Sequence, residues 1–289
     1  MFTIGNEHLK IIISKKGAEL QSIFNKQTQL EYLWNGNPAF WSKRSPILFP
    51  IVGTLKNDIY YYNDKPYKLN RHGFARDMDF EIETPTASAV TFLLRSDETT
   101  LRNFPFEFEL RVMYSLRENN LRVNYNVSNI SNREMYFSVG GHPAFKVPLV
   151  DGMGYDDYYL EFNEEETKPR WPISKDGLIE TTPVPLLQQT NVLPLTKELF
   201  SKDALVLKNP TSSIVSLKSD KSSHGLDFDF GDFPYLGIWA AKDADFVCIE
   251  PWCGIADSVD TNQQLVNKEG INKLNAGEIF QRFWIGSFY

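Results

Sequence analysis

The sequence predicts an all-β protein built as a large, mostly antiparallel β-sandwich. Three observations carry that expectation. Phe106, Phe108, Leu110, Val112, Tyr114 and Leu116 alternate with Glu107, Glu109, Arg111, Met113 and Ser115, and Leu121, Val123, Tyr125 and Val127 resume the alternation after Arg117-Glu118-Asn119-Asn120. A side-chain period of two marks a strand with one buried face, and the four polar residues between the runs read as the turn of a long antiparallel hairpin. No stretch carries a long amphipathic helix pattern, and no repeat at a fixed period points to a solenoid or a propeller.

The 289 residues suit one large β domain spanning 1–289. An apolar share of 42% and an aromatic share of 14% are ample for a core. With a net charge of −7 the chain has no basic footprint, so nucleic acid is not an expected partner. Met1 to Glu7 lacks a basic region followed by an apolar stretch, and no apolar run approaches the roughly 20 residues of a membrane helix. The expectation is a cytoplasmic protein away from membranes. Cys248 and Cys253 are then expected as free thiols. No histidine pair stands at ligand spacing beside them, so no metal and no other cofactor is expected.

Taken in order, His8 to Ser14 and Ala18 to Phe24 read as short strands around Lys15-Lys16-Gly17, and Tyr32-Leu33-Trp34 re-enters the core. His8 is expected at the surface. Trp41 to Gly53 is apolar but interrupted by Pro46 and Pro50, so it is expected as a packed irregular segment, a cleft wall, with Arg44 either at the surface or reaching into the cleft. Asp58 to Leu69 reads as a hairpin around Asn63-Asp64-Lys65-Pro66. Asn70-Arg71-His72-Gly73-Phe74-Ala75-Arg76-Asp77 carries more side-chain donors than a structural loop needs, which suits ligand binding. Residues 147 to 200 read as excursions from the sheet, with Glu164-Glu165-Glu166 a solvated charge run and Leu195 to Phe200 a helical turn. Strands resume at Asp203 to Leu207, Gly225 to Asp232, Tyr235 to Ala240 and Phe246 to Ile249.

Two motifs carry the chemistry. The apolar run from Met135 to Val139, expected as the third strand of the central meander, ends in Gly140-Gly141-His142-Pro143. Glycine pairs allow backbone conformations closed to other residues, and the proline holds His142 extended. The strand from Phe246 ends in Glu250-Pro251-Trp252, where shielding of the carboxylate should raise its proton affinity. One imidazole and one carboxylate, each mounted at a strand end, suit proton transfer without a cofactor. No Gly-x-Ser-x-Gly elbow supports serine chemistry. A two-carboxylate glycosidase pairing Glu250 with Asp227, Asp229 or Asp232 is also compatible with the composition.

Phe49-Pro50-Ile51-Val52-Gly53, Arg71-His72-Gly73-Phe74-Ala75-Arg76, Gly141-His142-Pro143-Ala144-Phe145, Pro234-Tyr235-Leu236-Gly237-Ile238-Trp239 and Cys248-Ile249-Glu250-Pro251-Trp252 occur in an order that resembles the aldose 1-epimerase (galactose mutarotase-like) superfamily, most closely its LacX-like branch. The resemblance implies a β-supersandwich that interconverts the α and β anomers of an aldose. It implies His142 as general acid, Glu250 as general base, His72 as the second histidine of the sugar pocket and Asp203 as a sugar-binding aspartate. Lys56-Asn57-Asp58 stands where galactose mutarotases carry an Asn-Arg pair. The run His72 to Arg76 instead resembles the hexose-6-phosphate epimerase branch, in which arginines hold a phosphate, and Arg44 and Arg76 are the candidates here. A sugar or a sugar phosphate is therefore the expected partner, a homodimer is compatible with the sequence, and a carbohydrate-binding protein without catalysis is the non-enzyme alternative.

Overall fold

The period-two hairpin forms as its pattern demands. In a computed structural model describing residues 1–289, Phe108–Arg117 and Asn120–Asn129 are antiparallel over ten residue pairs, from Phe108 opposite Asn129 to Arg117 opposite Asn120. Their turn is tighter than the sequence suggests, because Arg117 and Asn120 already pair and Glu118 takes a positive φ of 54° to close it. The inward residues Leu110, Val112, Tyr114, Leu121, Val123, Tyr125 and Val127 have no exposure. Each such side chain contributes roughly 1.5–3 kcal/mol of burial.

This hairpin sits within a nine-stranded antiparallel sheet. Ile279–Phe288 lies beside Asn120–Asn129, followed outward by Ser222–Asp229, Ile214–Ser219, Tyr159–Glu166 and Thr190–Pro194. On the other side, Ala89–Arg95 and Glu81–Glu83 complete it. A second sheet of six short strands orders Leu205–Lys208, Tyr235–Trp239, Phe246–Cys253, Val139–Gly141 and Ile47–Leu48, with Ala144–Lys146 also paired to Phe246–Cys253. Four N-terminal strands, Phe2–Gly5, Leu9–Ile13, Leu20–Asn25 and Leu30–Glu31, make a third sheet. Strand accounts for 47% of the residues and helix for 8%. The α-helix, Glu98–Asn103, has six residues and is capped by Asp97, and no helix is long and apolar enough to cross a membrane.

The second sheet lies against the first through aromatic contacts. Phe145 meets Phe228 at 5.7 Å between ring centroids, and Phe49 meets Phe108 at 4.9 Å. Gly140 and Gly141 have their place here, for a different reason than backbone freedom. Neither takes a positive φ. A Cβ on Gly141 would stand 2.6 Å from the Tyr125 hydroxyl, and one on Gly140 would stand 2.8 Å from the Trp252 ring. The pair is therefore needed so that layers on both sides can approach the backbone.

Other expectations are corrected. The run before His142 is not the third strand of the meander. It breaks into Met135–Phe137, paired to Asn272–Leu274, and Val139–Gly141, in the second sheet, while Ile279–Phe288 takes the position beside the hairpin. The strand from Phe246 does not end at Ile249 but runs on through Cys253. Glu166 is not solvated. It is fully buried and accepts a hydrogen bond from the Ser212 backbone N–H at 2.7 Å. His8 is half-buried rather than at the surface.

Candidate active site

His142 and Glu250 are brought together by register. Gly140 lies opposite Trp252 and Ala144 lies opposite Cys248. The same antiparallel register carried across the gap puts His142 opposite Glu250, so the two side chains share one face of the sheet. The gap arises because Pro143 cannot donate to a ladder, and it splits the neighbouring strand into Val139–Gly141 and Ala144–Lys146. Pro251 fits the same gap. The Ile249 N–H donates toward the Pro143 carbonyl at 3.3 Å, so residue 251, two positions on, turns its own nitrogen to the same side, toward Gly141 at the rim of the gap, where the ladder has no pair. Across the other edge, Gly237 stands opposite Glu250 without a side chain, and the Trp252 ring occupies that space.

The imidazole Nε2 and the Glu250 Oε2 approach to 3.2 Å. The alignment is not that of a hydrogen bond. His142 Nδ1 and Glu250 Oε2 are buried without a well-aligned protein partner, and the Trp252 indole N–H faces the Glu250 carboxyl. Buried polar atoms are nearly always satisfied, so two such atoms beside one cavity mark a place where a polar ligand completes the site. His142 is 7% exposed and Glu250 is 1% exposed. Burial is the main reason the imidazole pKa falls from its usual 6.5 to about 3, with Arg71 and Arg76 adding repulsion. Burial likewise raises the Glu250 carboxyl well above the usual range, with Arg71 opposing the rise. Burial thus pushes both groups toward their uncharged forms, neutral imidazole beside carboxylic acid.

The Pro-interrupted segment, expected as a cleft wall, lines the cavity only at its ends, Trp41 and Gly53, with Ile47 to Val52 packed in the core, and it also fixes the second histidine. The His72 N–H donates to the Gly53 carbonyl at 2.9 Å, and the Gly53 N–H donates to His72 Nδ1 at 3.1 Å. With Nδ1 accepting, the proton of the neutral ring lies on Nε2. The 3.3 Å approach of Arg71 Nε to that nitrogen is then a contact rather than a hydrogen bond. Burial and the positive neighbours hold His72 neutral by lowering its pKa. Its φ of 68° is uncommon for a residue with a side chain and is the kind of strain found at functional loops. His72 meets His142 edge-on at 5.6 Å.

These residues open onto a cavity of about 480 Å³, within the size range of small-molecule sites. Arg71, Arg76, Asp203 and Lys242 supply its charged lining, and Trp41, Trp239 and Trp252 supply aromatic walls. Asp203 reaches it with a positive φ of 74° and stands 3.9 Å from the Arg71 guanidinium. Arg44 does not line the cavity. Its guanidinium donates to the Gln21 carbonyl, its N–H donates to Glu19 at 2.7 Å, and its carbonyl accepts from Ala144 at 2.9 Å. It braces the strand after His142 instead. Asp227, Asp229 and Asp232 also lie outside the cavity lining, so a glycosidase pairing with Glu250 finds no partner among them. Cys248 brings its sulfur within 4.8 Å of the His142 and Glu250 donor atoms. Burial raises the thiol pKa, which keeps it protonated and unfavourable as a metal ligand. Cys248 and Cys253 are both free.

Sequence reasoning gave no role to Trp41, Arg71 or Lys242. Arg71 stood inside a motif already singled out for its donors. Trp41 opens the Pro-interrupted run, and nothing in its neighbours signals that it turns toward His142.

Comparisons with known proteins place the chain in a family. Residues 1–269 match the family model described as aldose 1-epimerase. The chromosomal protein LacX of Lactococcus lactis subsp. lactis is 38% identical over 279 residues, covering 93% of each chain. The crystal structure of a galactose mutarotase related enzyme from Lactobacillus acidophilus superposes with a TM-score of 0.95 at 39% identity, covering 100% of this chain and 97% of the other. A galactose mutarotase-like protein from Lactobacillus casei gives a TM-score of 0.94 at 35% identity, with both chains fully covered. The ordered motifs, the sandwich of antiparallel sheets and these relatives lead to one conclusion: the chain belongs to the aldose 1-epimerase family of isomerases.

Proposed function

We propose that this protein interconverts the α and β anomers of a hexose, with Glu250 as general base and His142 as general acid. The observation that carries the reading is the cross-strand pair itself: two buried proton carriers 3.2 Å apart, with unpartnered polar atoms beside a sugar-sized cavity. In the reactive arrangement Glu250 is a carboxylate and His142 an imidazolium. Glu250 takes the proton of the anomeric hydroxyl while His142 gives its proton to the ring oxygen, and the C1 to ring-oxygen bond breaks. The open-chain aldehyde then lies beside a neutral imidazole and a carboxylic acid, the distribution that burial favours. Rotation about C1–C2 and closure with reversed roles gives the other anomer. The two charges thus disappear as the ring opens, so a desolvated site favours that step. His72, with its proton on Nε2, and Asp203 serve as hydrogen-bonding groups for sugar hydroxyls.

A second reading, a hexose 6-phosphate as substrate, has one observation in its favour. Arg76 Nε is buried without a hydrogen-bond partner, and Arg71 and Lys242 add positive charge to the same lining. Guanidinium groups suit phosphate oxygens. Polarimetry of α-glucose, α-galactose and their 6-phosphates tests both readings. Faster mutarotation of the free sugars supports the first, a preference for the phosphates supports the second, and no acceleration of any of them contradicts catalysis in favour of a carbohydrate-binding role.

A further inference from the structure

We propose that Trp41 enables His142 to hold its proton: the indole face, stacked on the imidazole, stabilises the imidazolium that donates to the ring oxygen. This rests on the acid–base reading above and assigns a positioning role to a residue outside the reacting pair.

The geometry is specific. The Trp41 and His142 rings lie 4.9 Å apart with their planes 29° from parallel. Phe246 stacks behind the indole at 5.5 Å and 30°, and Trp239 closes its edge at 5.5 Å and 80°. The indole is therefore held in a layered stack with the imidazole as its last member. The backbone that carries it belongs to no strand or helix, yet it is pinned. The Trp34 indole N–H donates to the Trp41 carbonyl at 2.8 Å, and the Trp41 N–H donates to the Asn37 carbonyl at 2.9 Å. The buried Glu19 carboxylate accepts from the Arg44 and Ser45 N–H groups at 2.7 and 3.2 Å. An irregular segment tied at this many points presents its ring in one orientation.

The need for such a ring follows from the surroundings of His142. Arg71 and Arg76 repel a proton there, and burial removes the water that would otherwise solvate it. His72 is neutral and edge-on, and the Cys248 thiol is protonated. Glu250 stabilises the imidazolium at one edge only. The face of the ring meets Trp41, and an indole face within about 6 Å is the strongest aromatic partner for a cation, more so when desolvated. The stack favours the ion-pair arrangement of the shared proton over the neutral one that burial prefers.

The test uses Trp41→Leu and Trp41→Phe, with kcat and KM measured separately on the preferred sugar. Nitrogen-15 NMR of the imidazole runs in parallel. The expected result for Trp41→Leu is a fall in kcat of about five- to thirtyfold, with KM changed less than about twofold. Trp41→Phe, which keeps a weaker π face and serves as the folding control, is expected to lie between. On acidification the His142 nitrogen signals should convert to the imidazolium form at lower pH in the variants, in the same order. A raised KM with kcat retained would overturn the proposal in favour of a sugar-stacking platform. A loss of kcat with unchanged imidazole signals would overturn it in favour of a purely structural role. The NMR arm needs no turnover, so it decides the Trp41 question even if the wild-type protein fails to accelerate mutarotation.

Discussion

The two sheets that face each other are built on opposite rules. The nine-stranded sheet is regular at its centre: its hairpin keeps one register for ten pairs, and the register shifts lie toward one edge, between Tyr159–Glu166 and Thr190–Pro194 and between Ile214–Ser219 and Ser222–Asp229. The six-stranded sheet is interrupted by Pro50, by Pro143 and by glycines at positions 140, 141 and 237. Its strands outside Phe246–Cys253 are two to five residues long. The proposed acid–base pair, His142 and Glu250, sits in the interrupted sheet. The regular sheet supplies a rigid floor through Tyr125, Phe108 and Phe228, and the breaks above it create room for an imidazole and a carboxylate to face a cavity. Regularity serves stability, and controlled departure from it creates the site.

That contrast can be broken by exchanging its two halves. Leu110→Ala, in the regular sheet, should lower unfolding free energy by about 2–5 kcal/mol, while activity per folded molecule stays near wild type. Glu250→Gln, in the interrupted sheet, should do the reverse. Activity falls about a hundredfold to ten-thousandfold. Because the folded-state pKa of Glu250 is raised, its contribution to stability is present in acid and lost as pH rises. Removing the ionisable group should therefore raise the melting temperature at neutral pH. Chemical denaturation and polarimetry on the same preparations separate the two effects, and a Leu110→Ala protein that is stable but inactive would undo the division of labour.

A mixed outcome is expected where the sheets touch. Gly141→Ala forces a Cβ against the Tyr125 hydroxyl and also disturbs the strand that carries His142. Overpacking of this kind costs about 1–3 kcal/mol. Stability and kcat should fall together, whereas a loss of stability alone would mean that the floor does not position the imidazole.

The smallest effect concerns pH. His72 and His142 are buried neutral with lowered pKa values, so the unfolded chain binds protons more readily below about pH 6.5. Their contribution to stability is whole above that pH and declines as pH falls, for His142 toward about 3. Between pH 6.5 and 5 the His142 imidazole should cost about 1.6 kcal/mol of stability. His142→Gln should flatten part of that slope in denaturant midpoints, and a slope unchanged by the substitution would contradict a neutral, buried imidazole.

Much of this was legible in the residues. Period-two alternation disclosed the hairpin, the Pro and Gly interruptions marked the cleft, and the donor-rich run around His72 lay against it. What could not be read was the partition between sheets. The run from Met135 follows the meander in sequence, and only long-range pairing with Asn272–Leu274 and Phe246–Cys253 diverts it. Glu250 was read at a strand end because Pro251 follows it. Pro251 is tolerated inside the strand because its neighbour breaks at Pro143, more than a hundred residues away. Arg44 and Asp203 were chosen by their place in the chain. Their fates diverged because Arg44 turns back to Gln21 and Glu19 while Asp203 turns into the cavity.

The central claim is that His142 and Glu250 act as one proton-shuttling unit across a break in the sheet. The direct measurement is a double-mutant cycle on kcat/KM for mutarotation, using His142→Asn, Glu250→Gln and the combined variant. Residues that act as a unit are strongly non-additive. The account requires the double variant to be about as slow as the slower single variant. A double variant whose loss equals the product of the two single losses would show independent groups and contradict it.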